Sequence, residues 1–250
     1  MLKFAVIIAA AGRSSRFGGK GPREKKVFRE LKGRAVWLRS VEAFINRADV
    51  AQTIVVVSPE DIGWFREKFA ANLAFLDLDL VEGGDERAES VQNALARVRS
   101  DIDFVAVHDA ARPLITKQSI DEIFKAAEET GAAILATPVS STLKRVNGNR
   151  ILETVSRECL HQAQTPQVFR RELLLDAYAK RGESTATDES SLVEQLGHPV
   201  HTVPGSHLNI KITTQEDLRM AEALLTVLPR ESALEALSPL ADDRPKWLFS

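Results

Sequence analysis

The chain has 250 residues, of which 44% are hydrophobic, and a formal net charge of −2. A chain of this size and composition can bury one sizeable core, and the small net charge argues against nucleic acid or an anionic membrane as a partner. Cys159 is the single cysteine and no apolar run reaches the length of a membrane span, so we expect a cytoplasmic protein without intrachain disulfides.

The first predicted element is a buried strand that leads into a long, basic, glycine-containing loop. Val6, Ile7 and Ile8 form a β-branched run, which is typical of a strand buried on both faces of a parallel sheet. The small residues that follow are Ala10, Ala11 and Gly12, and the cations beyond them are Arg13, Arg16, Lys20, Arg23, Lys25 and Lys26. Free backbone N–H groups and cations attract polyanionic phosphate. The alternative is a solvated basic surface loop.

Two known phosphate-loop motifs do not fit this loop. The spacing from Gly12 to Gly18 is wrong for a Walker loop, and Ser14 stands where a dinucleotide fingerprint requires glycine. The loop's cations repel one another, and its glycines raise the entropic cost of ordering it. We therefore expect residues from about Ser14 to Lys25 to be mobile without ligand. If the segment is extended as it enters Phe28, only one of the two adjacent lysines can face a bound phosphate.

Strands and helices then alternate along the chain. The predicted strands cover residues 53–59, 78–81, 104–113 and 132–139, and the predicted helices lie around residues 37–45, 62–70, 91–98 and 120–131. Such repeats predict a doubly wound, mostly parallel α/β sheet with helices on both faces. Ligands of these sheets sit beyond the carboxyl ends of the strands. The loops after the first, third and fourth strands carry the glycines and charges, so we expect them to share one crevice.

The last third of the chain has a different pattern. Alternating runs around Asn147-Gly148-Asn149 predict a protruding β-hairpin at about residues 140–157, either a dimerisation arm or a plain surface hairpin. Helices are expected from Arg171 and over 188–196, and a strand over 200–203. Thr213 and Glu216 are predicted to form the capping box of a final amphipathic helix. We expect one domain over residues 1–228 and a loosely packed C-terminal extension over 229–250.

Two polar turns carry the candidate chemistry. Asp109 ends a buried strand and can hold Mg²⁺ against a triphosphate, or simply cap the following turn. Arg112 can bind a phosphate or pair with Asp109, while His108 is interpreted as structural. In the other turn, Gly83-Gly84-Asp85 with Arg87 and Ser90 offers backbone and hydroxyl groups to a base edge. The alternative there is a helix N-terminus with favourable acidic residues.

Taken together, the motifs resemble those of a known family. In chain order they are AAGRSSRFG, GGDERAESV, VHDAARP, TLKRV, AQTPQVF, TDE and NIKIT. This series is similar to that of the 2-C-methyl-D-erythritol 4-phosphate cytidylyltransferases of non-mevalonate isoprenoid biosynthesis, over residues 4 to about 226. The resemblance implies a Rossmann-like nucleotidyltransferase fold, a homodimer joined by hairpin arms, and Mg²⁺-dependent reaction of CTP with a small alditol phosphate.

The resemblance also implies roles for individual residues. Arg16 and Lys26 would stabilise the charge of the pentavalent transition state, with Arg157 and Lys211 completing the catalytic set. Asp109 would hold the metal. The cytidine would be bound by Ala10, Ala11, Gly12, Gly84, Asp85 and Ser90. The acceptor phosphate would be bound by Lys211 and Thr187, with contributions from Arg112, Thr142, Arg157 and Thr165, the hairpin residues reaching the site from the partner subunit.

The sequence departs from the family pattern in the basic loop. Ser14 replaces a glycine, the loop is about three residues longer, and Lys25-Lys26-Val27-Phe28 stands where the family has Pro-Lys-Gln-aromatic. Spacing favours Lys26 as the catalytic lysine, with Lys25 as its rival. Alternative functions are a ribitol-5-phosphate cytidylyltransferase, an NAD(P)-dependent oxidoreductase and a non-catalytic nucleotide-binding relative. A non-catalytic relative would be expected to have lost Arg16, Asp109 or Lys211.

Overall fold

A computed structural model of the chain describes residues 1–14, 17, 21, 25–182 and 186–228. The first half begins with β1 (Phe4–Ala9), a 3₁₀ turn (Lys26–Phe28), the short strands β2 (Glu30–Leu31) and β3 (Arg34–Ala35), and α1 (Val36–Ile45). It continues with β4 (Val50–Val57), α2 (Ile62–Lys68), α3 (Ala70–Phe75), β5 (Leu78–Glu82), α4 (Arg87–Leu95) and β6 (Phe104–Asp109). These elements match the predicted alternation closely.

The second half adds the rest of the sheet and its covering helices. Its elements are α5 (Lys117–Thr130), β7 (Ala132–Pro138), β8 (Leu143–Asn147), β9 (Arg150–Val155), β10 (His161–Arg170), α6 (Arg171–Ala179), α7 (Glu189–Gln195), β11 (His201–Pro204) and α8 (Gln215–Leu224). The predicted extension over residues 229–250 lies outside the described residues, as does most of the basic loop between β1 and the 3₁₀ turn.

Seven strands in the described part of the chain form one sheet, in the order β11-β7-β10-β6-β1-β4-β5. β1 pairs in parallel with both β4 and β6, and β5 extends the parallel set beyond β4. β10 runs antiparallel to its neighbours β6 and β7. The predicted doubly wound, mostly parallel fold is therefore confirmed. The carboxyl ends of β1, β5 and β6 lie on one edge of this sheet.

The two faces of the sheet are covered by separate apolar clusters. Phe4, Val6 and Ile8 of β1 pack in the cluster that also contains side chains of α1, α2 and α5. The alternate residues Ala5 and Ile7 pack in a second cluster with side chains of α4, α6 and α7. Successive side chains of a strand point to opposite faces, so a strand buried on both faces reads as one continuous apolar run.

β10 is the strand of the seven-stranded sheet that the sequence pattern did not predict. Its inner segment contains Gln164, Thr165, Pro166 and Gln167, and its pairing register with β7 shifts between Ala163 and Gln167. A proline and three polar residues are unusual in a central strand, where proline removes a backbone donor. Gln164, Thr165 and Gln167 are nevertheless buried. Thr165 accepts from the N–H of Asp109 in β6, Gln167 donates to Asp188, and Gln164 accepts from Asn209. The polar side chains of this strand therefore support neighbouring segments.

The predicted hairpin and final helix are present, with one correction. β8 and β9 form an antiparallel ribbon around Gly148. The capping box of α8, predicted for Thr213 and Glu216, is instead formed by Thr214 and Asp217. The prediction was wrong by one residue: Thr214 accepts from the Asp217 N–H as the N-cap, and Thr213, just outside the helix, donates its N–H and its hydroxyl to the Asp217 carboxylate. No helix in the described ranges is long and apolar enough to cross a membrane.

Candidate active site

A cavity of about 320 Å³ opens at the carboxyl edge of the sheet, where the loops after β1, β5 and β6 meet. Ala11 and Gly12 line it from the first loop, and Gly84, Asp85 and Ser90 from the second. Asp109 lines it from the end of β6, and Lys26 and Lys211 approach from outside the sheet. The predicted shared crevice therefore exists, with eight of the sequence-predicted site residues on its walls.

Asp109 is a buried carboxylate surrounded by cations. Its Oδ2 lies 2.9 Å from Nζ of Lys211 and 3.4 Å from Nε of Arg112, and its Oδ1 lies 3.7 Å from Nε of Arg87. Burial alone would raise the pKa of the Asp109 carboxyl, but the charges of these neighbours lower it well below its ordinary value. Asp109 is thus held ionised at the floor of the cavity.

Arg87 bridges Asp109 to a second buried carboxylate. Its Nη1 and Nη2 donate to the two carboxylate oxygens of Glu189 at 2.6 and 2.9 Å, a bidentate pair, and Tyr178 donates its hydroxyl hydrogen to Glu189 Oε1 at 3.1 Å. Burial opposes the charge of Arg87, but the carboxylates of Glu189 and Asp109 raise the pKa of its guanidinium. Glu189 therefore balances the charge of Arg87 and fixes its orientation towards Asp109.

A directional hydrogen-bond chain holds the backbone at Asp109. His108 is fully buried, and burial lowers the pKa of its imidazole to about 4, so the ring is neutral. The carbonyl of Arg112 lies 3.1 Å from Nε2 and can only accept, so Nε2 carries the hydrogen. Nδ1 then accepts from the Thr165 hydroxyl at 3.2 Å, and Thr165 Oγ1 accepts from the Asp109 N–H at 3.0 Å. The predicted structural role of His108 agrees with this geometry.

The glycine turn after β5 is packed too tightly for side chains. A Cβ on Gly83 would lie 2.7 Å from Ser90 Oγ, and one on Gly84 would lie 2.5 Å from the Cβ of Glu89. Ser90 Oγ accepts from the Gly84 N–H at 3.1 Å and donates to the Glu86 carbonyl at 3.0 Å. In addition to lining the cavity, Ser90 therefore fixes the turn whose backbone faces it.

The two adjacent lysines have different surroundings. Lys26 lines the cavity, whereas the Lys25 side chain is buried against Asp61, 2.5 Å from its carboxylate. The segment is a 3₁₀ turn over Lys26–Phe28, in which the Phe28 N–H donates to the Lys25 carbonyl. The extended conformation considered as a condition in the sequence analysis is therefore not the one adopted. The two side chains still diverge. Lys26 is the lysine that this geometry presents to a ligand.

Comparison with known proteins identifies the family. The chain matches the family described as IspD, 2-C-methyl-D-erythritol 4-phosphate cytidylyltransferase, over residues 4–227. The chain belongs to this family. Membership confirms the resemblance of the sequence motifs and identifies the chain as a nucleotidyltransferase.

Individual members of the family match this chain over most of their length. The family member of Rhodopirellula baltica is 44% identical over 232 residues, which cover 88% of this chain and 94% of that protein. The Bacillus velezensis member is 40% identical over 228 residues, which cover 90% and 96%. The crystal structure of the Thermus thermophilus cytidylyltransferase has a TM-score of 0.74 at 33% identity and covers 88% of this chain and 98% of its own.

Several residues assigned to the site by family resemblance do not line the cavity. Ala10 and Thr165 are buried behind it, and Arg112 donates to the Asn209 carbonyl at 2.8 Å as well as facing Asp109. Thr142 and Thr187 are exposed, and Arg157, also exposed, donates to the carbonyl of Ser140. Arg16 lies outside the described residues. The geometry gives Thr165 and Arg112 a supporting role around Asp109, and their predicted substrate contacts stay predictions.

The sequence alone assigned no role to Glu189, and it related Arg87 only to binding of the edge of a nucleotide base. Their pairing spans 102 positions in sequence, so no local pattern reveals it. Asn209 was likewise noted only as part of a motif. It donates to the side-chain carbonyl of Gln164 and the backbone carbonyl of Thr165, which joins the segment carrying Lys211 to β10. The signal available in the sequence was the family motifs, which contain these residues without stating their function.

The carboxylates at the cavity determine whether Mg²⁺ could bind there. Across the described residues, no group of three or more His, Cys, Asp or Glu side chains is arranged to hold a metal. Mg²⁺ usually takes one or two carboxylates and completes its shell with phosphate oxygens and water. The single carboxylate of Asp109 at the cavity wall therefore fits an ion that arrives with a triphosphate. Lys211, whose side chain is 38% exposed, would have to leave Oδ2 for that ion.

The buried His108 predicts a specific pH dependence of stability. Its pKa is about 4 in the folded chain and about 6.5 when unfolded, so the unfolded state binds more protons between these values and stability falls as pH falls. Wild type should lose about 2 kcal/mol of unfolding free energy from this group between pH 7.5 and pH 5. Urea unfolding at both pH values measures it.

The matched variants for that measurement are His108→Gln, which removes the titrating group, and His201→Gln, which removes an exposed histidine. His108→Gln should be less stable at pH 7.5 yet lose correspondingly less on acidification, while His201→Gln should follow wild type. Equal losses in wild type and His108→Gln would contradict the assignment of a neutral buried imidazole.

Proposed function

We propose that this chain transfers the cytidylyl group of CTP to 2-C-methyl-D-erythritol 4-phosphate, with release of pyrophosphate, in non-mevalonate isoprenoid biosynthesis. The observation that carries the proposal is the cavity in which an ionised Asp109 faces Lys211 and the Gly12 loop. Family membership over residues 4–227 supports the choice of reaction. The product would be 4-diphosphocytidyl-2-C-methyl-D-erythritol, the compound after which a synthase of similar fold is named.

The cavity walls suit a nucleoside triphosphate. The small residues Ala11 and Gly12 allow phosphates to approach the backbone closely. A Cβ at Gly12 would meet no atom of the described residues within 4 Å. The turn at Gly84 and Asp85 offers backbone groups to the base on the opposite wall. A small pocket lined by backbone groups suits a pyrimidine better than the larger purines.

The reaction itself requires positioning and charge neutralisation. A phosphate oxygen of the acceptor attacks the α-phosphorus of CTP, the bond from that phosphorus to the β-phosphate bridging oxygen breaks, and pyrophosphate leaves with that electron pair. Lys26 and Lys211 place positive charge where negative charge accumulates on the phosphoryl oxygens. Arg16 adds a third cation by family resemblance. No proton transfer is required because the acceptor phosphate is already ionised.

Magnesium dependence is part of the proposal. The ion, bound to Asp109 and to substrate phosphates, would neutralise charge on the triphosphate and help to orient it. Asp109 suits this function because its neighbouring cations lower the pKa of its carboxyl and keep it ionised at any physiological pH. The role of Lys211 would then change from partner of Asp109 to ligand of a substrate phosphate.

We further propose that the hairpin contacts a second copy of the chain. Val146, Ile151 and Leu152 on β8 and β9 are more than half exposed, at 56%, 58% and 56%. Apolar side chains that cluster on a protruding ribbon are typical of a protein–protein contact. Thr142 and Arg157, at the base of the hairpin, do not line the cavity of their own chain, which is consistent with donation to a partner's cavity. In such a homodimer, the hairpin of each chain would contribute Thr142 and Arg157 to the cavity of the other chain.

We also propose the extent of the domain and the cellular location of the protein. The family match over residues 4–227 supports a single nucleotidyltransferase domain over 1–228, with residues 229–250 as an extension. A cytoplasmic location fits the single, exposed and unpaired Cys159.

A pyrophosphate-release assay with purified protein, CTP and Mg²⁺ tests the proposed function. Parallel reactions contain 2-C-methyl-D-erythritol 4-phosphate or ribitol 5-phosphate as acceptor. The proposal predicts a clear preference in kcat/KM for the erythritol compound. Preference for ribitol 5-phosphate would instead assign the alternative acceptor, and absence of pyrophosphate with either would favour a non-catalytic nucleotide-binding relative.

Asp109→Asn tests the metal site. The variant keeps the shape of the side chain but removes the charge that would bind Mg²⁺, so turnover should fall at least about 100-fold, as it does when a charge contact to the transition state is lost. Asp176→Asn, which alters an exposed aspartate of α6, is the control and should retain full activity. Near-normal turnover of Asp109→Asn at saturating Mg²⁺, with the fold intact, would remove Asp109 from the metal site.

Complementation between subunits tests the shared site. Arg157→Ala and Lys211→Ala homodimers should each be nearly inactive. If Arg157 serves the partner's cavity, a mixed dimer of the two variants contains one site with both residues intact and should recover up to about half of the wild-type activity. No recovery in dimers shown to have exchanged subunits would mean that each site is built from one chain.

A further inference from the structure

Lys25 is a buried lysine held by three oxygen atoms. The residue is 4% exposed, and its Nζ lies 2.5 Å from Asp61 Oδ2, 2.5 Å from Glu60 Oε1 and 3.2 Å from Ser58 Oγ. Burial of an ammonium is costly unless it is paired and hydrogen-bonded. This arrangement provides both.

The acceptors of Lys25 are themselves fixed. Asp61 is 1% exposed and is the residue that precedes α2, while Ser58 follows β4. The Ser58 hydroxyl donates to Asp61 Oδ2 at 2.6 Å, and the Asp61 N–H donates to the Ser58 carbonyl at 3.0 Å. The Lys25 clamp, defined as Lys25 with Ser58, Glu60 and Asp61, therefore ties the end of the basic loop to the β4–α2 turn of the sheet.

The clamp is adjacent to a residue of the cavity. Lys26 follows Lys25 directly, lines the cavity, and donates its N–H to Ser14 Oγ at 3.3 Å. On its other side, Phe28 is buried with its ring 5.3 Å from Trp64 and 5.5 Å from Phe65. Lys26 is thus the partly exposed residue between two buried anchors, one ionic and one aromatic.

The surroundings of Lys25 exclude a direct role in binding phosphate. Its side chain is 5% exposed and already neutralised by Asp61, which is 1% exposed. A substrate phosphate would have to displace a buried carboxylate to reach it. What the clamp does determine is the position of the backbone that carries the next side chain. That side chain belongs to the cavity.

We propose that Lys25 is a positioning residue for the reaction: the Lys25 clamp fixes the backbone at Lys26 so that the Lys26 ammonium is presented to the α-phosphate of the nucleotide. This inference rests on the proposed function, because it assigns Lys26 to the transferring phosphoryl group. Misplacement of a catalytic group by about 1 Å can cost about 100-fold in rate. Loss of the clamp should therefore reduce turnover even though Lys25 touches no substrate.

A double-mutant cycle separates positioning from simple stabilisation of the fold. The variants are Lys25→Met, Lys26→Ala and the double variant, with Lys68→Met, an exposed lysine of α2, as the control. Lys25→Met should lower kcat about 100-fold and change the KM for CTP less than about threefold. In the Lys26→Ala background it should change kcat less than about threefold, because no ammonium remains to be positioned.

A purely structural role for Lys25 gives a different pattern. It would lower the active fraction by the same factor in both backgrounds, and that additive result would overturn the proposal. Asp61→Asn loosens the same clamp from the acceptor side and replaces Lys25→Met in the cycle if the latter does not fold. A fall in kcat for Lys68→Met comparable to that of Lys25→Met would also overturn the proposal.

Amine labelling with an acetylating reagent and mass spectrometry reads the clamp without reference to activity. In wild type, Lys25 should react at least about tenfold more slowly than Lys68, since it is accessible only in locally opened states, and Asp61→Asn should raise its rate. Equal rates for the two lysines in wild type would overturn the proposal. If wild type forms no product while Lys25 is protected, the proposed function and the role of Lys26 fail, although the clamp itself is present.

Discussion

A carboxylate that remains ionised while buried is the constraint on which this site depends. Asp109 ends a central strand, where burial by itself raises the pKa of its carboxyl, yet that pKa is lowered well below the ordinary value. The chain satisfies both conditions by directing three cations at it: Lys211 from the segment before α8, Arg112 from the turn after β6, and Arg87 from the start of α4. Two of these cations have support of their own. Glu189 pairs with Arg87, and the Asn209 carbonyl accepts from Arg112, so one buried charge organises segments from four parts of the chain.

The same arrangement bears on the proposed binding of substrate. Of the three cations, Lys211 is the most exposed and lies on the cavity side of Asp109. A triphosphate with its metal would therefore compete for both members of this ion pair, giving phosphate to Lys211 and the metal to Asp109. The His108–Thr165 chain would not need to change in that exchange, because it bonds the backbone N–H of Asp109 and carries no charge. On this proposal, the hydrogen bonds to the Asp109 backbone stay in place while the Lys211–Asp109 ion pair is exchanged.

The features predicted correctly from the sequence are those that have a short-range sequence pattern. The apolar run of β1, the periodic faces of α1 and α5, and the glycine turn before α4 each have a short-range signal, and these placed the cavity at the correct edge of the sheet. β10 was missed because its buried Gln164, Thr165 and Gln167 serve as hydrogen-bond partners and so lack the apolar pattern of a strand. The Arg87–Glu189 pair and the burial of Lys25 depend on residues that meet only after folding. Which of two adjacent lysines faces the cavity is a tertiary property, and spacing indicated it without giving the reason.

The most direct test of this account is a crystal structure of the protein with CTP and Mg²⁺. The account predicts the triphosphate against Gly12, the base at the Gly84–Asp85 wall, a metal ion on Asp109, and Lys211 displaced from the 2.9 Å contact with Asp109 to a phosphate oxygen. Nucleotide bound elsewhere on the chain, or bound in this cavity while the Lys211–Asp109 contact stays intact and no metal reaches Asp109, would contradict it.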